Sequence, residues 1–578
     1  MDKKELTTKV FADRHRSPAK RTGYRFSQVF CICLFLLSWQ QVFGGGTNKK
    51  ASRNFDVGVD ISRDRNNPTR FFNAALMDSL GVDFAVYHYR GPLGTIEEET
   101  ARLTELGRQF EEEGLKVLIN VELGNWGDII GKDGHNWVKQ PDSLHLFKFP
   151  PEVLKKMNQS PAVWGIVYDE LEHCQITRNL SISLRRPGVE LVSLAETTGM
   201  DFKSADKAVY EGAKSLVDEC EASGTQKVVT EHVWPVLYHN FARAGIIPAY
   251  KQMKENWSNV WAACAMGACL QYDRELWTCI DLWNHDTYPG HSSRELFGNL
   301  LFAYWAGIDK AYIESMRGLL ERDHQGGARL EERGKTFQSF VKEYLPANPR
   351  SYTFRDFEPS IAIIRFDDTE WGQGPGIFST SESDGGSKVR KYPWKDWLFG
   401  AYDLNTSPES EEWIKAWHTI THGAVKRESL SWNAGNYYKY MPHRSFAPAN
   451  APVVFDDQVS GKFLETVDLA FLCGLFISDE TLNDVCSLVQ KNGLVVVTSA
   501  RFAPKRFVEV YAGGTQQFED GKGAWIITDD MAANELKEMV KPFLGSEDEI
   551  VYRFTGNRKV VMKISSDGNE LDIRKSGF

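Results

Sequence analysis

No Cys-x-x-Cys pair and no His-x-His or His-Glu-x-x-His spacing occurs in the 578 residues, so no short motif announces a metal site. Basic residues are not in excess either. The 68 Lys and Arg against 78 Asp and Glu leave a net charge of −10, which argues against a nucleic-acid partner, because phosphate binding needs a basic face. No internal repeat is visible. The apolar and charged fractions, 42 % and 25 %, are those of a globular chain, and the length calls for two or three domains. Aromatic residues, by contrast, are plentiful: 12 % of the chain, with 17 Trp. Their flat apolar faces serve a core and can also stack on sugar rings.

The N-terminus reads as a targeting segment. Lys3, Lys4, Arg14, Arg16, Lys20, Arg21 and Arg25 precede an apolar run from Val29 to Trp39, and Gly44-Gly45-Gly46 follows. That order describes a secretory signal over residues 1–46, and the run is short against the roughly 20 residues of a membrane span. The expected location is secreted or periplasmic, with the membrane reached only if this segment stays uncleaved as an anchor. Cys31 and Cys33 fall inside it. The other seven cysteines are scattered and odd in number, which suits buried free thiols better than a disulfide framework.

From Phe55 onward, short β-rich runs alternate with helical ones, the pattern of parallel strands joined by helices. Eight strands are predicted: 56–61, 83–89, 116–121, 163–168, 227–231, 246–249, 277–283 and 311–313. Pro248 interrupts the sixth, beyond which Tyr250 and Lys251 stand at the mouth end. Helices are predicted over 97–113, 204–223 and 295–306. Eight such units within residues 55–345 are the count and size of a (β/α)8 TIM-type barrel. Leu330–Leu345 reads as its closing helix, broken by Pro346-Ala-Asn-Pro349, and residues 346–359 as a linker. The rhythm restarts over 360–578, with apolar strands at 361–366, 453–455, 467–472 and 494–498 and a helix at 479–491. This suits a doubly wound α/β domain ending in a short β segment.

Barrel enzymes place working groups at the C-terminal ends of the strands. There the sequence offers Asp60; Tyr87 and His88; Trp126; Asp169, Glu170 and Glu172; Glu231 and Trp234; Asp281, Trp283, His285 and Asp286; and Glu314. Carboxylates from several strands, interleaved with aromatics, suit cleavage of a glycosidic bond. That reaction pairs a protonated carboxylic acid with an ionised carboxylate. Glu170, ending an apolar fourth strand among Asp169, Glu172 and His173, is the candidate general acid. Its partner is one of four acids, Asp286 favoured, then Glu231, then Glu314, with Asp281 the fourth, and the remaining mouth residues are candidate sugar contacts. No cofactor is expected. A non-catalytic carbohydrate-binding barrel and a metal-dependent hydrolase using His88, His173, His232, His285 and His291 with nearby acids are the alternatives.

The segment Val163-Trp-Gly-Ile-Val-Tyr-Asp-Glu170 resembles the fourth strand of clan A glycoside hydrolases. Residues 288–315 resemble the last two βα units of such barrels. Ile361-Ala-Ile-Ile-Arg-Phe-Asp-Asp-Thr-Glu-Trp371 and the stretch 478–498 resemble the glutamine-amidotransferase-like domain that follows the barrel in the trimeric type of β-galactosidase. The resemblance implies a secreted hydrolase with a carbohydrate substrate, Glu170 as acid/base, and a second domain serving structure or homo-oligomer formation. Two departures stand out. The clan's nucleophile is a Glu at the end of the seventh strand, where this chain has only Asp281 and Asp286. Cys473 precedes Gly474 but lacks the Gly before it that a nucleophilic elbow carries.

Overall fold

A computed structural model of the protein describes residues 54–62, 74–89, 96–121, 149–176, 193–254, 256–282, 290–322, 328–368, 371–373, 408–425 and 444–578. Eight parallel strands close into a barrel in chain order. They are β1 (Asp56–Ser62), β2 (Phe84–Tyr89), β3 (Lys116–Val121), β4 (Val163–Tyr168), β5 (Lys227–His232), β6 (Ile247–Gln252), β7 (Trp277–Asp281) and β8 (Lys310–Glu314). The predicted strands all form. The sixth runs on through Pro248, which forgoes one ladder hydrogen bond, and reaches Gln252.

Two deviations follow the barrel. Leu320–Arg322 (β9) and Ala328–Leu330 (β10) pair as a hairpin where the closing helix was predicted to begin. The helix itself starts at Glu332, and Pro346 does not break it: the chain stays helical to Ala347. The turn before the proline, Phe340–Tyr344, is wound as a π-helix. Proline displaces the carbonyl four residues earlier, here that of Lys342, and a wider turn makes room for it.

Beyond the barrel lies a six-stranded sheet. Ile361–Arg365 (β11) pairs in parallel with both Pro452–Asp456 (β13) and Leu469–Cys473 (β14). Val495–Thr498 (β15) and Gly523–Thr528 (β17) extend the parallel run, and Thr515–Asp520 (β16) closes it as an antiparallel edge. β11, β13 and β14 are buried along their whole length, as their largely apolar sequences require; Arg365 and Asp456 end the first two. The hairpin of β16 and β17 had no prediction. The expected C-terminal β segment proves to be a separate sheet of Ala449–Asn450 (β12), Glu549–Phe554 (β18), Arg558–Ile564 (β19) and Leu571–Ser576 (β20).

The barrel and the six-stranded sheet are packed directly together. The helix Ser258–Tyr272, between β6 and β7, is rich in Ala and Cys and buried on every side from Ser258 to Cys269. An apolar circumference of this kind has no solvent face, so the helix needs a partner on both sides. Gly267 lets it lie against β13: a Cβ there would fall 1.6 Å from the Val454 carbonyl oxygen. The Asn259 side chain bonds both the N–H and the carbonyl of Ala447, at 3.0 and 2.8 Å. Among the described residues no helix is long and apolar enough to cross a membrane, and the run 29–39 lies outside them.

Candidate active site

The barrel interior holds its own apolar core. Phe84, Val86, Leu118, Val167, Val229, Ile247, Ala249, Trp277, Cys279 and Tyr312 pack together there, with Trp164 against them. Side chains alternate along a strand, so the next inward position lies two residues on. Taken strand by strand from β1, those positions are Asp60, His88, Asn120, Asp169, Glu231, Lys251, Asp281 and Glu314. All eight are buried. The apolar plug is thus capped by one polar residue from each strand.

In β4 the alternation is broken, and the break decides which acid faces inward. Val117 pairs with Val163 but Leu118 pairs with Gly165, so Trp164 is an extra residue, a β-bulge. Without it, even-numbered residues after Trp164 would face in, and Glu170 with them. With it, Val167 and Asp169 do. Glu170 follows one step beyond, with a left-handed backbone (φ 50°), and its carbonyl starts the next helix by accepting from Cys174 N–H at 3.1 Å. Such a conformation costs a non-glycine residue about 1–2 kcal/mol. It swings the side chain over the ring from the rim, where 20 % of it stays exposed.

Lys251, from β6, joins the acids. Its ammonium donates to Glu170 Oε1 at 3.1 Å and pairs with Glu231 Oε2 at 2.9 Å and Glu314 Oε2 at 2.8 Å, with Asp169 Oδ1 at 3.8 Å. Glu231 is further held through Oε1, which accepts from Tyr312 O–H at 2.6 Å and Asn120 Nδ2 at 3.1 Å. The Cys279 thiol donates to Glu314 Oε2 at 3.4 Å, and His88 Nε2 lies 3.4 Å from Asp60 Oδ2.

The charges of this cluster are set by burial and by one another. Burial works against the Lys251 ammonium, but Glu231, Glu314, Glu170 and Asp169 outweigh it and hold its pKa well above the ordinary lysine range. Burial pushes the Asp169 carboxyl far up; Lys251 opposes this and Glu231 adds to it. The Glu314 carboxyl is also pushed up by burial, and Lys251 draws it part of the way back. Several carboxylates around one ammonium cannot all ionise, so the cluster stores a proton.

Other predicted site residues stand elsewhere. Tyr87 and Trp234 pack in the outer core between strands and helices. Glu172 turns behind the ring, where Oε1 accepts from the backbone N–H of Val233 at 2.6 Å and of Trp234 at 3.2 Å. Burial raises its carboxyl to about 8. His232, next to Glu231 on β5, faces outward and stacks on Tyr238 at 4.0 Å; burial lowers it to about 3. Trp126, Trp283, His285 and Asp286 lie outside the described residues. Asn120 was not predicted, and Lys251, though expected at the mouth end of the sixth strand, had no predicted role.

Glu231, Cys279 and Glu314 place ligand atoms within 4.8 Å of one another, the spacing of a small metal site. Lys251 already supplies a positive charge against two of the three.

No protein-family model matches the chain, and no curated protein matches it. Solved structures do. An exo-β-1,4-mannosidase from Opitutaceae bacterium strain TAV5 is 11 % identical, over 84 % of this chain and 93 % of that one, with a TM-score of 0.47. A glycoside hydrolase family 30 subfamily 8 xylanase from Clostridium acetobutylicum is 8 % identical, over 50 % and 71 %, with a TM-score of 0.31. The catalytic domain of a chitinase from Pyrococcus furiosus is 12 % identical, over 51 % and 97 %, with a TM-score of 0.30. The chemistry of this mouth rests on its own residues.

Proposed function

We propose that the protein is a glycoside hydrolase acting on an oligo- or polysaccharide with retention of configuration, Glu170 being the acid/base and Glu314 the nucleophile. The observation that carries this is the shared ammonium. Glu170 Oε1 and Glu314 Oε2 stand 3.1 and 2.8 Å from Lys251 Nζ. These two oxygens are therefore no farther apart than those distances added, which supports a carboxyl separation nearer the retaining range than the about 6.5–9.5 Å that inverting enzymes keep open for water. Retaining enzymes hold their pair about 5–5.5 Å apart.

Exposure supports the division of roles. An acid/base must first give its proton to the leaving oxygen and then take one from water, so it needs solvent access, and Glu170 has it. A nucleophile must be ionised, and the groups around Glu314, an ammonium and a thiol, donate to the anion. Glu231, at a like distance from the same ammonium, is the second candidate; both of its oxygens are engaged, Oε1 by a tyrosine and an asparagine and Oε2 by the lysine.

The segment 1–46 supports export. The six-stranded sheet suits an amidotransferase-like domain, over about 360–578, kept for structure or assembly. Cys473 at the end of β14 is fully buried, and burial drives its thiol far above the range of a nucleophile. The test is a panel of aryl glycosides, followed by proton NMR of the first sugar released. The expected product keeps the substrate's anomeric configuration. An inverted first product would remove the Glu170–Glu314 pair as acid/base and nucleophile.

A further inference from the structure

We infer that Lys251 is a positioning residue of this site, whose ammonium keeps the Glu314 carboxylate charged and aimed toward the place that Glu170 reaches from β4. The inference rests on the hydrolase reading and extends it to a residue that need not touch substrate.

The placement is built into the strand. Ile247 and Ala249 face the interior plug, so Lys251, two residues on, must face the same way, and it is 2 % exposed. A buried ammonium persists only when opposite charges are fixed around it, because desolvation costs more than one exposed pair returns. Here those charges come from three strands: Asp169 and Glu170 from β4, Glu231 from β5 and Glu314 from β8.

A lysine at a barrel mouth can instead act through its neutral amine, attacking a carbonyl to form an imine. That role needs a depressed pKa. The four carboxylates act in the opposite direction and keep the proton on Lys251. What remains is an electrostatic role like that of a bound cation, at the spot where Glu231, Cys279 and Glu314 come together. The groups facing Glu314 are Lys251, Glu231, Cys279 and, at longer range, His88 from β2, Asp169 from β4 and Tyr312 from its own strand. Of these Lys251 is the fixed positive charge, and it opposes the burial that favours protonated Glu314. Removing it lets Glu314 take up a proton at a higher pH.

The experiment compares the full chain with Lys251→Met. The acid-side limb of the kcat/KM profile is expected to move up by about 1–3 pH units, as loss of an adjacent opposite charge does. Infrared spectra near neutral pH are expected to show an added protonated-carboxyl band, absent when Glu314→Gln is combined with Lys251→Met. The infrared readout needs no turnover, so it stands even if no glycoside is cleaved and the hydrolase reading fails. An unmoved limb together with no added band would overturn the inference. If Lys251→Met does not fold, Lys251→Gln carries the same predictions. If neither folds, the double variant Lys251→Met with Glu314→Gln is expected to fold, having lost the charge together with its stranded partner. A double variant that also fails would overturn the inference, since the lysine would then be serving the fold and not Glu314.

Discussion

Lys251 Nζ lies 2.8 Å from Glu314 Oε2, joining β6 to β8 across the mouth of the barrel. The pair sits on an apolar plug, so each charge depends on the other for its solvation.

The bulge at Trp164 can be tested through Gly165. A Cβ there would stand 2.0 Å from the Lys227 carbonyl oxygen, a backbone atom that cannot turn aside. Gly165→Ala is expected to destabilise the protein by about 1–3 kcal/mol or more, read by urea unfolding. If the strand relaxes by losing the bulge, Asp169 and Glu170 exchange directions and activity is lost as well.

Glu172 predicts a pH dependence of stability. Its carboxyl is raised by burial to about 8 in the folded chain, from an ordinary value of 4.5. Between those values the folded state holds a proton that the unfolded state has released, so this group's contribution falls as pH rises through the window. The loss is worth on the order of 1.4 kcal/mol per unit of pH. Glu172→Gln still offers an oxygen to the Val233 and Trp234 amides but cannot ionise. Unfolding curves from pH 5 to 8 are expected to be flatter for the variant than for the native protein. Parallel curves would contradict the assignment.

The junction of barrel and sheet is expected to fail at Gly267. Its missing Cβ allows the close contact with Val454. Gly267→Ala must push the helix Ser258–Tyr272 away from β13, lowering the unfolding temperature by several degrees, as about 1–3 kcal/mol of overpacking would. An unchanged melting curve would show that the contact gives without cost.

How far the sequence carried this picture depends on the kind of residue asked about. The eight barrel strands were legible because each is a short apolar run between helical stretches, and their ends named Asp60, His88, Asp169, Glu231, Asp281 and Glu314 among the mouth residues. Direction was not legible at β4. An extra residue in a strand leaves no mark in composition, yet Trp164 is what turns Asp169 inward and leaves Glu170 on the rim. Lys251 was placed just past the sixth strand but given no role, because Pro248 was read as weakening that strand and ending it at Ala249. Had the strand been carried two residues further, the alternation Ile247, Ala249, Lys251 would have marked it. Glu172 and His232 looked like site residues by position, but both are taken up by the chain after β5, Glu172 by the Val233 and Trp234 amides and His232 by the Tyr238 ring, which spacing alone does not reveal. The hairpin of β16 and β17 was missed because β16 is mostly polar and half-exposed, without the apolar run that marked the central strands.

The central claim, that Glu170 supplies the acid/base of a glycoside hydrolase, is tested most directly by comparing the native protein with Glu170→Gln on aryl glycosides the native protein cleaves. The change keeps the side chain's size and removes its proton transfer. A fall in turnover of about 10²–10⁴-fold is predicted on substrates whose leaving group needs protonation. A Glu170→Gln protein that turns over those substrates at the native rate would contradict the account.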